Sequence, residues 1–101
     1  MEINKFVNEK VLELRVAGRI DGEGANQLEE EILAAMRSGA GTIYVHLAEA
    51  TFLCSAGLRV LLQYWRQMKN NGKLLQATRP SPEVDAVLTT SGFKDMLVEK
   101  L

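Results

Sequence analysis

Leu12, Leu14 and Val16 alternate with Glu13 and Arg15, a period of two that predicts a strand with one face on a core. A shorter run, Ile3 to Val7, precedes it, and the polar pair Asn8-Glu9 between the two predicts an opening hairpin. Gly18-Arg19-Ile20-Asp21-Gly22 then interrupts the alternation. From Gly24 the period changes: Leu28, Ile32, Ala35 and Met36 recur at helical spacing, and Ser38-Gly39-Ala40-Gly41 ends that helix. Its acidic run, Glu29-Glu30-Glu31, lies partly in the early turns, where the helix dipole favours negative charge, so it calls for no ligand. Thr42 to Leu47 is rich in β-branched and aromatic residues and predicts a well-covered strand. A second helix, starting at or beside Ser55, carries the stripe Leu58, Leu61, Leu62, Trp65 and Met68 and ends near Asn70-Asn71-Gly72; Arg59, Val60 and Gln63 form its expected exposed flank. Lys73 to Thr78 predicts a short strand. Ser81-Pro82 predicts a helix start with serine as N-cap and proline in the first turn, Val84, Val87 and Leu88 face inward, and Gly92 is its stop. Phe93, Met96, Leu97 and Val98 predict a final strand. The order β-β-α-β-α-β-α-β implies an α/β domain, a mixed four- to five-stranded sheet with helices packed on it and some parallel pairing through right-handed crossovers.

A chain of 101 residues supplies one core and not two, and 47% hydrophobic with 25% charged residues is ordinary for a globular domain. Lys plus Arg number 12 against 13 Asp plus Glu, so no overall field attracts nucleic acid or an anionic membrane. The apolar runs are far shorter than the roughly 20 residues of a bilayer span, and Met1-Glu2-Ile3-Asn4 does not open a signal peptide, so a cytoplasmic location is expected. The single cysteine, Cys54, makes no internal disulfide, and the single histidine, His46, builds no zinc-ligand cluster.

Enzyme chemistry finds little support. Ser55, His46 and Asp21 supply the residue types of a hydrolase triad, but there is no Gly-x-Ser-x-Gly elbow and His46 stands nine residues before Ser55 in a strand. The glycines at 18, 22 and 24 match neither a dinucleotide fingerprint nor a P-loop. Ser55 stands out by place: it reads most simply as an N-cap, and the same position tolerates a phosphate, because free N–H groups and the dipole favour an anion.

Gly18-Arg19-Ile20-Asp21 after the second strand, and Thr51-Phe52-Leu53-Cys54-Ser55-Ala56-Gly57-Leu58-Arg59-Val60-Leu61 into the second helix, resemble the STAS domain of bacterial anti-sigma factor antagonists. The resemblance covers nearly the whole chain, so residues 1–101 are expected to form one STAS domain, its last family helix short or absent. The family pattern is hydrophobic-Asp-Ser-Ser/Thr/Ala-Gly-Leu, and its first serine, the phosphorylated one, corresponds to Ser55; the aspartate of its Gly-x-hydrophobic-Asp turn corresponds to Asp21. What the resemblance implies is a non-enzymatic switch without a cofactor. Unphosphorylated, it binds an anti-sigma factor that is also a serine kinase; phosphorylated on Ser55, it is released, and a PP2C-type phosphatase restores it. Partner contacts are expected from Arg19, Asp21, Cys54, Ala56, Gly57, Leu58 and Arg59, with no nucleic acid, no membrane insertion, and a monomer or weak dimer.

Two residues depart from the pattern. Cys54 stands where the family often has Asp, and Ala56 replaces a second hydroxyl residue. Cys54 reads as a small hydrophobe or as a thiol activated by a helix N-terminus, and Arg19 and Arg59 read equally as switch-surface residues or as solvated charges. The loss of Asp also leaves open a second class, a constitutive STAS interaction subunit, for example of a lipid transporter, with no phosphorylation cycle. A third class, a nucleotide or lipid sensor, rests on fold analogy alone.

Overall fold

The computed structural model describes residues 1–98. β1 (Glu2–Asn8) and β2 (Val11–Ile20) form the expected antiparallel hairpin, turning at Glu9-Lys10. α1 (Gly22–Arg37) carries the chain back to β3 (Thr42–Leu53), which pairs parallel to β2; α2 (Ser55–Asn70) returns it to β4 (Leu74–Thr78), parallel to β3. The four-stranded sheet therefore has the order β1-β2-β3-β4, mixed in direction and fed by helical crossovers, as the element order requires.

Register writes the core as rows across the sheet. Leu12, Ile43 and Leu75 lie level, as do Leu14, Val45 and Ala77, and all are buried on one face. Leu28, Ile32 and Ala35 of α1 and Leu61, Tyr64 and Met68 of α2 are buried in the same core. The opposite rows are polar. His46, half-buried, meets the Thr78 hydroxyl through Nδ1, and its Nε2 lies 2.7 Å from Glu13 Oε1. One imidazole thus ties together side chains of three strands.

Two strand boundaries and the buried face of one helix differ from the expectation. β2 does not stop at Gly18 but runs through it to Ile20, and β3 continues past Leu47 to Leu53. The periodicity failed there because the pairing shifts between Arg15 and Ala17 and again between Gly18 and Arg19: five steps along β2 from Arg15 to Ile20 match seven along β3 from His46 to Leu53. Gly18, at φ +97°, takes a backbone shape that L side chains rarely adopt, and a Cβ there would meet the Met1 backbone at 3.3 Å. On α2, Val60 is buried and not on the exposed flank, while Leu58, Leu62 and Trp65 are only half-buried.

At the far end, α3 (Pro82–Ser91) starts and stops as expected, with Ser81 Oγ accepting from the Val84 N–H at 3.2 Å and Gly92 in the left-handed conformation. The segment after it is not a strand in its body. Lys94–Leu97 forms one helical turn, α4, which buries Leu97, and only Val98 bridges Ala77 in parallel at the fifth-strand position. Four apolar residues within a six-residue stretch are too few for their period to separate the two readings. The shortened C-terminal end expected beyond it lies outside the described residues.

α1 and α2 are clamped by the Tyr64 hydroxyl, which donates to Glu29 Oε2 at 2.7 Å. Burial of the ring, reinforced by the hydrogen bond and the charge of Glu29, pushes the phenol up to about 12. The neutral phenol is thus favoured in the folded state. We expect its contribution to be complete below pH ~10, the ordinary tyrosine value, and to be lost as pH rises towards 12. Urea midpoints of the wild type measured across that interval should fall more steeply than those of Tyr64→Phe; parallel curves would refute the clamp.

Candidate site at the paired helix N-termini

β2 and β3 end level, Ile20 opposite Leu53, and each runs directly into a helix. The N-termini of α1 and α2 consequently stand side by side at the carboxyl ends of parallel strands, where open α/β sheets place their sites. The Cys54 N–H donates to the Ile20 carbonyl at 3.0 Å and closes the junction.

The two caps differ. Asp21 is the N-cap of α1, its Oδ1 accepting from the Gly24 N–H at 2.9 Å. Cys54, not Ser55, is the N-cap of α2, and its side chain makes no capping bond. Ser55 is instead the first helical residue and is exposed; no side-chain hydrogen bond among the described residues uses its hydroxyl. Two small polar residues precede the apolar stripe, and the stripe alone does not say which of them is the cap.

Gly57 explains how α2 comes so close to the strands. A Cβ built there would lie 2.7 Å from Leu53 Cδ1 and 2.8 Å from Ile20 Cγ2, so the first turn rests directly on the two strand ends. Ala56 and Leu58 flank it half-buried, and Arg59 projects into solvent one turn beyond Ser55. Arg19 ends in a different setting, its guanidinium carbon 4.2 Å from the centre of the exposed Phe52 ring on the neighbouring strand. The eight residues expected at this site thus converge on one end of the sheet, with Gly57 in the packing, Asp21 in a cap, and Ser55 and Arg59 at the surface. Phe52 was missed, and its cross-strand partnership with Arg19 depends on a register shift that periodicity does not reveal. His46 lies elsewhere, bound to Glu13 and Thr78, so the hydrolase triad is not assembled. Among the described residues no group of three His, Cys, Asp or Glu side chains is placed to hold a metal ion. No described helix is long and apolar enough to cross a membrane.

The family model described as "Mlab, STAS domain" matches residues 7–99. The chain belongs to the STAS-domain family. Among its relatives is an anti-sigma-B factor antagonist of Staphylococcus aureus, 25% identical over 97 residues that span 96% of this chain and 90% of the relative. The anti-sigma factor antagonist SpoIIAA, solved in its unphosphorylated form, superposes with a TM-score of 0.83 at 22% identity, covering 99% of this chain and 89% of that one. An anti-sigma factor antagonist from Mycobacterium paratuberculosis gives 0.85 at 20% identity, covering 99% and 86%. These structures share the STAS fold.

The geometry of this STAS domain sets two expectations about stability. Cys54→Asp should supply the missing cap and a favourable charge at the helix start, stabilising the protein by about 0.5–1 kcal/mol in urea unfolding. A variant no more stable than the wild type would show that the α2 N–H groups are already satisfied. Gly57→Ala should cost about 1–3 kcal/mol, because the added Cβ must displace the branched, fully buried Ile20 as well as the tip of Leu53; an unchanged midpoint would contradict the tight seat of α2.

Proposed function

We propose that this STAS domain is an anti-sigma factor antagonist that acts as a phosphorylation-controlled switch, with Ser55 as the acceptor. The observation that carries the reading is the place of Ser55: exposed, first in α2 after the cap residue Cys54, with a hydroxyl in no side-chain hydrogen bond among the described residues. A kinase can reach such a hydroxyl without unfolding anything. The product suits the fold as well, since a phosphate of about −2 charge at a helix start faces free N–H groups and the positive end of the dipole.

The names of the relatives support the same reading. One SpoIIAA structure is of the phosphorylated form, and it superposes on this chain with a TM-score of 0.76, so a domain of this shape carries the modification. In the proposed cycle the unphosphorylated domain binds an anti-sigma factor serine kinase in the cytoplasm. Phosphate on Ser55 then brings charge and desolvation cost into the interface, and a loss of about 3 kcal/mol weakens binding roughly a hundredfold. A PP2C-type phosphatase resets the switch. ATP, magnesium and transfer chemistry belong to the kinase, and Asp21 serves by capping α1 beside the acceptor.

A second reading, the constitutive interaction subunit, is favoured by Cys54, which takes the place of the aspartate that the resembled motif carries before its acceptor serine. The two readings separate on one experiment. Incubated with ATP, magnesium and the serine kinase of its own genome, the wild type should gain one phosphate by intact mass and Ser55→Ala none. Ser55→Ala should keep kinase binding, and Ser55→Asp should weaken it. Phosphate on Ser55→Ala would displace the acceptor; tight binding with phosphate on neither protein would favour the constitutive subunit.

A further inference from the structure

The exposed side of α2 carries a charge pattern that neither the fold nor the phosphoacceptor accounts for. The helix contains Arg59, Arg66 and Lys69 and no acidic residue, whereas α1 beside it carries Glu23, Glu29, Glu30 and Glu31. The acids are partly engaged at home, Glu29 with the Tyr64 hydroxyl and Glu31 with Lys5 at 3.0 Å. Neither Arg59 nor Arg66 takes part in an ion pair among the described residues. Lys69 lies with its ammonium 5.0 Å from the centre of the Trp65 ring, which leaves the two guanidinium groups as the uncommitted cations of the helix.

These arginines border one shallow groove of ≈470 Å3, lined by Arg59, Leu62, Gln63, Arg66, Gln67 and Asn70. At about 100° of rotation per residue, Ser55, Leu62, Arg66, Arg59 and Asn70 fall within an arc of roughly 80°. The buried residues Gly57, Leu61, Tyr64 and Met68 occupy the opposite side. Ser55 therefore stands at the head of the groove, and Arg59, four residues on, is its neighbour on the helix surface, with Cβ atoms about 5–6 Å apart.

We propose that this groove docks an acidic amphipathic helix of the partner protein, with Leu62 as the apolar contact and Arg59 and Arg66 as the charge anchors. The occupant is set by complementarity: two guanidiniums seven positions apart, in no ion pair among the described residues, match carboxylates two turns apart on a facing helix, and amides at Gln63, Gln67 and Asn70 line the remainder. The same arrangement gives Ser55 its lever. A phosphate at the head of the groove repels the acidic helix and draws the Arg59 guanidinium into an intrahelical pair, removing one anchor as it adds a repulsion. This lever rests on Ser55 being the acceptor; the groove itself does not.

The test uses the whole chain and a synthetic amphipathic helix of about 20 residues built from Leu and Glu, with a Leu and Lys counterpart, followed by 1H–15N NMR at low ionic strength. The Glu peptide should shift amides along Ser55, Arg59, Leu62, Gln63, Arg66 and Asn70, and the Lys peptide should not. Arg59→Glu with Arg66→Glu, both at the surface, should weaken the Glu peptide at least about tenfold while leaving the rest of the spectrum in place. Shifts on another face, equal response to the Lys peptide, or undiminished binding by the double variant would overturn the groove. For the lever, phosphoserine installed at position 55 by synthesis should weaken the peptide, and its phosphorus resonance should titrate at lower pH than in the Arg59→Gln chain. Identical titrations would remove Arg59 from the switch. Because the phosphate is installed chemically, these outcomes stand apart from whether a kinase recognises Ser55, which the mass experiment decides.

Discussion

The site depends on one constraint, that β2 and β3 finish level. The chain enters the β2–β3 ladder with Arg15 opposite His46 and leaves it with Ile20 opposite Leu53, so β3 must absorb two residues on the way. The shifts at Ala17 and Gly18 do this, and the hydrogen bond from the Cys54 N–H to the Ile20 carbonyl locks the result. Without that correction α2 would begin two residues out of step with α1, and Asp21 and Cys54 would not be neighbouring caps. A glycine with φ +97° in the middle of a strand is therefore a requirement of the far end of the sheet.

Level strand ends place the positive ends of two helix dipoles side by side. Such an arrangement favours negative charge at both caps. The protein meets it at α1 with the carboxylate of Asp21 and leaves it unmet at α2, where the N-cap Cys54 makes no cap bond. Electrostatically, α2 is the unsatisfied helix: no acid in its first turn, and arginines along its exposed face. The asymmetry between neighbours is what separates a closed structural cap from a surface on which negative charge, brought by a modification or by a partner, finds complementary groups.

Much of this was legible in the chain. Alternation in β2 and the helical stripes of α1 and α2 declared themselves, because each buries one continuous face and the period survives. Ser81 and Gly92 bounded α3 through local chemistry that does not depend on the rest of the fold. What was hidden shares one cause, dependence on a distant partner. The continuation of β2 through Gly18 is visible only once β3 supplies the ladder, and the fuller burial of Val60 and Tyr64 than of Leu58 and Leu62 depends on which side of α2 meets the sheet and α1. Val98 becomes a strand residue only by meeting Ala77. The eight residues that the motif singles out do share one end of the sheet, but which of them cap, pack or stay exposed was not legible, since Asp21, Gly57 and Ser55 look alike in a sequence.

Cys54 then acquires a different meaning from the one a motif comparison gives it. Against the pattern it is a lost aspartate, a mark against phosphorylation of the next residue. In the structure an aspartate there would hold a carboxylate at the α2 cap, beside any phosphate on Ser55, and two like charges at one helix start oppose each other. With cysteine, a phosphate faces the free amides and Arg59 without that opposition. The start of α2 would then tolerate the phosphate, and under the proposed switch its free-energy cost would fall on the contact with the partner.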